Sequence, residues 1–320
     1  MLCLSENDIL KAVTPEEIVD ELEAAIRLYE TDEFHMPDRM QVDYEGNVLL
    51  LMPCFTSKRF ATKLVSVFPG NTEKSIPVVM GTVVLNDGQT GEPLALLNGT
   101  VLTALRTGAV GALGIRYLTS PTVKTLGIVG AGVQGFNQAL FASYVRKLSD
   151  VFVFDIDTQK SVFLIEKLSK RRPGTKIHEA KSIEELLQHS EVVITATTSL
   201  HPVLPDKKEL LAGKHFVGIG SYRPDMREFP EALFKLLNRV LIDTRHAAAE
   251  SGDLVTPLKN GWIKEDQVFT MGKWLKTGEK IKAGETTLFK SVGMALFDLV
   301  VSDLVYQKAS EKGLGTEIDL

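Results

Sequence analysis

The sequence predicts an α/β protein with a doubly wound parallel sheet and a second α+β domain, and three observations carry that prediction. The first is the stretch Thr125 to Asp155, in which an apolar run meets GAGVQG, an apolar-periodic segment follows, and a second β-rich run ends in an acid. The second is the repeated alternation of strand-like and helix-like segments after it. The third is a different grammar before it, where short β-rich runs are separated by Pro, Gly and Asp.

The glycine stretch has the form of a βαβ dinucleotide-binding unit. Gly130 would make the tight turn after the strand and Gly132 would let backbone approach a pyrophosphate. Gly135 would let the helix pack close to the strand, with anionic charge held at the helix N-terminus. Asp155 closes the next strand about 20–25 residues on, where the fingerprint expects an acid. A carboxylate there accepts hydrogen bonds from a ribose diol and repels a 2′-phosphate, so NAD(H) is favoured; Lys160 leaves room for NADP(H). The reading is therefore of a Rossmann-type sheet.

Composition narrows the class. The 320 residues suit two domains, and 24% charged with 44% hydrophobic residues is ordinary for a globular chain. A net charge of −5 argues against a nucleic-acid or anionic-membrane partner. Two cysteines, Cys3 and Cys54, make no disulfide framework, and the N-terminus does not read as a signal peptide, so the expected compartment is the cytoplasm. The six histidines are scattered without HxH, HExxH or CxxC spacing, so no metal is expected. Neither a GxSxG elbow nor a Walker loop occurs.

In the first domain, Ser5-x-x-Asp8 and Thr14-Pro15-Glu16-Glu17 read as helix starts, the second followed by an apolar stripe through Ile18, Leu22, Ile26 and Tyr29. From Val48 the runs NVLLLMP, ATKLVSVFP, IPVVMGTVVLN and EPLALLNG suggest an antiparallel meander. Lys63 shares a strand face with Ala61, Val65 and Val67, so a cation projects from an apolar row. It is either a lysine near an edge, snorkelling to water, or a functional group. Thr100 to Tyr117 reads as a nearly all-apolar helix interrupted by Arg106. A buried guanidinium needs a planar anion, which is either an internal carboxylate or a bound substrate carboxylate or phosphate.

In the second domain, EVVITAT, HFVGIG and VLIDT read as further parallel strands. Ligands bind outside the carboxyl ends of such strands, which directs Thr197 and Ser221 toward a cofactor, unless their hydroxyls merely cap helices. Ser291 to Lys312 reads as a long helix stopped by Gly313 and returning to the first domain.

With these residues in view, the chain resembles the ornithine cyclodeaminase/mu-crystallin family over essentially its whole length. The matching segments are ATKLVSVFPGN, ALRTGAVGA, GIVGAGVQ, GSYRPDMRE, ESGDL and TTLFKSVGMA. The resemblance implies residues 1–120 plus 293–320 as a substrate-binding and dimerisation domain and 121–292 as the NAD(P)-binding domain. It implies a homodimer formed through the N-terminal sheets, acting on small α-imino or α-amino acids. By the same resemblance Arg39, Lys63 and Arg106 hold the substrate carboxylate, and Lys63 is the catalytic candidate. Thr107, Gly130, Gly132, Val133, Gln134, Gly135, Asp155, Thr197, Ser221, Ser291 and Val292 line the cofactor. Ornithine cyclodeaminases carry an aspartate where this chain has Tyr222, with Asp225 three residues on. That departure favours NAD(P)H-dependent reduction of cyclic imino acids, of the Δ1-pyrroline-2-carboxylate or ketimine type. The alternatives are ornithine cyclodeamination or alanine dehydrogenation on the same scaffold, and a non-catalytic binder of cofactor and small ligand.

Overall fold

A computed structural model describes residues 1–74 and 76–319. The chain divides into two units, Met1–Arg106 with Met294–Leu320, and Thr107–Gly293. The division falls inside the helix Gly99–Leu118 and not after it at residue 120. Its second half is committed to the second unit by close backbone approach. Side chains built at Gly108, Gly111 and Gly114 would run into Phe141, Gln138 and Phe289, all of that unit.

The first unit is built on a mixed sheet. Asn47–Thr56, Arg59–Val67, Val79–Asp87 and Pro93–Asn98 form the expected antiparallel meander. Leu2–Leu4, too short to read from sequence, adds parallel to Pro93–Asn98. Both expected helix starts form capping boxes, Ser5 with Asp8 and Thr14 with Glu17. The pleat sorts the sheet into two faces. Cys54, Met52, Ala61, Lys63, Val65, Val83 and Leu85 point to the buried face. The helix Ala295–Glu311 covers it, packing on the strands and on the helix Pro15–Leu28. This helix begins at Ala295 and not at Ser291, because Gly293, with φ +76, turns the chain after the preceding strand and Met294 is the N-cap.

The second unit is a fully parallel eight-stranded sheet. Its order is Lys176–Glu179, Asp150–Phe154, Thr125–Val129, Val192–Thr195, His215–Gly218, Thr287–Lys290, Val240–Ile242 and Val268–Thr270. The strand order reverses between Thr125–Val129 and Val192–Thr195, the switch point at which doubly wound sheets bind ligands. The sequence had not marked Thr287–Lys290 as a strand. It enters the sheet between two earlier strands, and so brings Lys290 and Ser291 to the same carboxyl edge as Thr197 and Gly220.

Candidate active site

In the first unit three charges meet under the sheet. Lys63 lies on a central strand and is 2% exposed, so the edge-lysine reading is overturned. Its Nζ is 2.6 Å from Asp298 Oδ2, and Arg106 donates from Nε to Asp298 Oδ1 at 3.1 Å. Arg106 thus has the internal carboxylate that was one of its two expected partners. Asp298 was not singled out from the sequence. An acid in the apolar helix ALFDLVV is the same kind of anomaly as Arg106 in its own helix, and pairing the two would have found it. Burial pushes the Lys63 ammonium down from the ordinary lysine value to about 8; Asp298 opposes that shift, while Arg106 and Arg39 add to it. Arg39, in the segment before Met40–Tyr44, is partly buried. Cys54, across the sheet from Ala61, is held by burial as a neutral thiol, pushed up to about 12.

Lys63 and Arg106 carry two positive charges against one on Asp298. Buried charges are stable only when paired, so the cluster retains an unmatched positive charge that one further carboxylate would neutralise. Nε is one of five guanidinium donors, so the contact with Asp298 leaves the two Nη groups outside it.

In the second unit the glycine loop has the shape its sequence requires. Gly130 has φ +100, and a Cβ there would lie 2.7 Å from the Ala196 carbonyl oxygen. A Cβ on Gly135 would collide with the carbonyl oxygen of Gly130. Gly132 differs: a Cβ there meets no protein atom within 4 Å. The fold itself does not demand glycine at that point, whereas a closely approaching ligand would. Gly132 is also the N-cap of Val133–Val145 and offers no side-chain cap, which leaves the first amides of a 13-residue helix for an anion. Val133 is exposed at this end, and Gln134 follows it with its side-chain oxygen buried and unpartnered among the described residues. Asp155 sits beside the loop: Oδ2 accepts from Ala131 N at 2.7 Å and Oδ1 from Asp157 N at 2.9 Å. Thr107 is buried, and its carbonyl accepts from Gln138 Nε2 at 2.7 Å. The residues present therefore fit a dinucleotide.

Around the strand ends lie three buried carboxylates that sequence reading missed: Glu228, Asp253 and Asp243. Glu228 is fully buried; Oε1 accepts from Thr197 N and Oγ1 at 2.7 and 2.9 Å, and Oε2 from Gly220 N and Ser221 N at 2.8 and 3.2 Å. Every partner donates, so the ionised form is the one that satisfies them, although burial and the nearby Asp253 push this carboxyl upward. Asp253 Oδ1 in turn accepts from the amides of Glu228 and Phe229, and Lys290 Nζ lies 3.5 Å from its Oδ2. Asp243, also buried, accepts on Oδ2 from Ser291 Oγ at 2.6 Å, Val292 N at 3.1 Å and Gly293 N at 2.7 Å.

The hydroxyls of three cofactor candidates are engaged within the protein. Ser221 is fully buried, donates to the Met226 carbonyl at 2.7 Å and pairs with Ser251 Oγ at 2.8 Å. Its hydroxyl faces inward and supports the loop. Ser291, 3% exposed, is likewise committed to Asp243, and the Thr197 hydroxyl donates to Glu228. Tyr222 is exposed at the end of its strand, while Asp225 is held by Arg223 at 2.8 Å.

Comparison with known proteins agrees with this anatomy. Residues 2–313 match the model of the ornithine cyclodeaminase/mu-crystallin family. The chain is 32% identical to a Delta(1)-pyrroline-2-carboxylate reductase of Bacillus cereus, over 100% of both chains. Among solved structures it resembles the Thermococcus litoralis Delta(1)-pyrroline-2-carboxylate reductase in complex with NADH and L-proline. That match has a TM-score of 0.91 and 33% identity, covering 99% of this chain and 100% of the other. An archaeal alanine dehydrogenase dimer with bound NAD matches with a TM-score of 0.90 and 26% identity, over 100% and 99% of the chains. The chain belongs to the ornithine cyclodeaminase/mu-crystallin family.

Proposed function

We propose that the protein is an NAD(H)-dependent reductase of small cyclic imino acids, of the Δ1-pyrroline-2-carboxylate or ketimine type. NADP(H) is the second candidate cofactor, since Lys160, 3.8 Å from Asp157, offers a cation just beyond the strand end. The observation that carries the reading is the surplus cation of the Lys63–Asp298–Arg106 cluster, matched to a substrate with one carboxylate. The Thermococcus relative, solved with NADH and L-proline, supports the same substrate class.

Reduction of a C=N bond requires a hydride on carbon and a proton on nitrogen. NADH, when bound, supplies the hydride. The Nη groups of Arg106, with Arg39, anchor the carboxylate, which fixes the ring through a group remote from the reacting bond. Lys63, with its ammonium near neutrality, gives its proton to the imine nitrogen and regains it from solvent. Gly132 and the uncapped amides of Val133–Val145 hold the pyrophosphate, and Asp155 the ribose. The second reading, alanine dehydrogenation, would use the same carboxylate anchor on a smaller substrate, and the archaeal relative favours it. Ornithine cyclodeamination is disfavoured by Tyr222 in place of the family aspartate. Two free cysteines suit a reducing compartment, which supports the cytoplasm as the place of action.

NADH oxidation followed at 25 °C with pyrroline-2-carboxylate, piperideine-2-carboxylate and pyruvate plus ammonia, beside ammonia release from ornithine with NAD, tests the reading. Rapid oxidation with a cyclic imine is expected. Ammonia from ornithine without net change in NADH would overturn it.

A further inference from the structure

Asp298 belongs to no reading of the site so far beyond its role as a neighbour. It lies one turn into the helix Ala295–Glu311, 1% exposed, and gives each carboxylate oxygen to a different cation: Oδ2 to Lys63, Oδ1 to Arg106. The two cations come from a strand and from another helix, and among the described residues Asp298 is the carboxylate that bridges them. We propose that Asp298 is a positioning residue that keeps Lys63 protonated and aims both Lys63 and Arg106 before the substrate arrives. This rests on Lys63 being the proton donor.

The physical reasoning is a balance of charges. An isolated ammonium moved out of water loses its proton readily, and a cation beside it makes matters worse. Around Lys63 the cations are Arg106 and Arg39; opposite it on one adjoining strand is the apolar Met52, and the Cys54 thiol two residues along that strand is held neutral by burial. On the other adjoining strand the residue opposite Lys63 is Val83, which is apolar. Further along the covering helix, Asp303 is occupied by Arg59, and Glu21 on the packed helix Pro15–Leu28 is pushed upward by burial and by Asp303. Asp298 is therefore the anion that sustains the Lys63 charge. The Nζ–Oδ2 contact is 2.6 Å, and an ammonium carries three N–H donors, so a proton held toward Asp298 leaves the others for a further acceptor.

The test follows kcat/KM for pyrroline-2-carboxylate across pH at saturating NADH, in wild type, D298N, D298E and K63M. Protonated Lys63 is the active form for reduction, so wild-type activity is present below about pH 8 and falls as pH rises through it. In the reverse oxidation the neutral amine is active, so the rate climbs through the same pH. Removing the charge in D298N should move both limbs to lower pH by about 1 unit or more. D298E, which keeps the charge, should leave them in place while kcat falls through altered geometry. Limbs in D298N that coincide with wild type would overturn the proposal. So would a D298E limb displaced to lower pH, which decides the matter alone if D298N does not fold. K63M separates the two levels. Turnover like wild type in K63M removes Lys63 as donor and the proposal with it. K63M slowed by more than about 100-fold beside an unmoved D298N limb removes only the role of Asp298.

Discussion

At Arg106 the guanidinium meets Asp298 through Nε, at 3.1 Å, and so keeps its paired Nη edge for another planar anion. A lysine at this position would keep the charge and lose the fork. Charge-assisted hydrogen bonds are each worth about 1.5–3 kcal/mol. R106K should therefore raise KM for the imino acid by about 10- to 100-fold with a smaller effect on kcat, in steady-state kinetics. An unchanged KM would remove Arg106 from the site. Both Arg106 and Lys63 were legible from sequence because each places a charge where the surrounding pattern is apolar. What the pattern could not give was the partner. A residue 192 positions away along the chain becomes a neighbour only once the last helix folds back beneath the sheet. The same limit hid the partners of Ser221 and Ser291, whose hydroxyls are held by Ser251 and Asp243, groups distant in sequence.

The strand-end elements are tied together by side chains and not by the ladder alone. Glu228 joins the loop after Val192–Thr195 to the loop after His215–Gly218, and Asp243 holds the exit from Thr287–Lys290. Replacing Glu228 by alanine would strand buried donors on Thr197, Gly220 and Ser221, each at about 1–3 kcal/mol. E228A should lower the thermal midpoint and weaken NADH binding about 10-fold or more, read by protein-fluorescence titration. E228Q should not rescue binding, because its amide would set an NH2 against donors. NADH affinity equal to wild type in E228A would show that these loops hold their shape without it. The glycine loop and the strands on either side were readable because βαβ chemistry is local. Thr287–Lys290 was not, since a four-residue strand joining the middle of a sheet has no period of its own to detect.

For the whole molecule the outer face of the first unit's sheet is the decisive feature. Across the strand register Leu51 lies opposite Leu64, and Leu64 opposite Thr82; Val42 lies opposite Leu49, and Leu49 opposite Ser66. Met40, Val42, Leu49, Leu64 and Met80 are exposed on it, on adjacent strands. Scattered apolar residues need no explanation, but a contiguous apolar sheet face seeks cover. A net charge of −5 over 320 residues is too small to keep two such faces apart. A second copy of this chain is the cover we propose: a two-fold pairing would set the same patch on both partners, and a stable interface buries about 800 Å² on each. The archaeal alanine dehydrogenase relative is itself a dimer. L64E should yield a folded monomer at micromolar concentration, because the carboxylate is solvated in the separate chain and would be desolvated, without a partner, in the dimer. V162E, on the exposed side of the helix Thr158–Arg171, should leave the mass unchanged. Light scattering behind size exclusion reads both. A wild-type mass of one chain, or an L64E mass of two, would exclude this face as the interface.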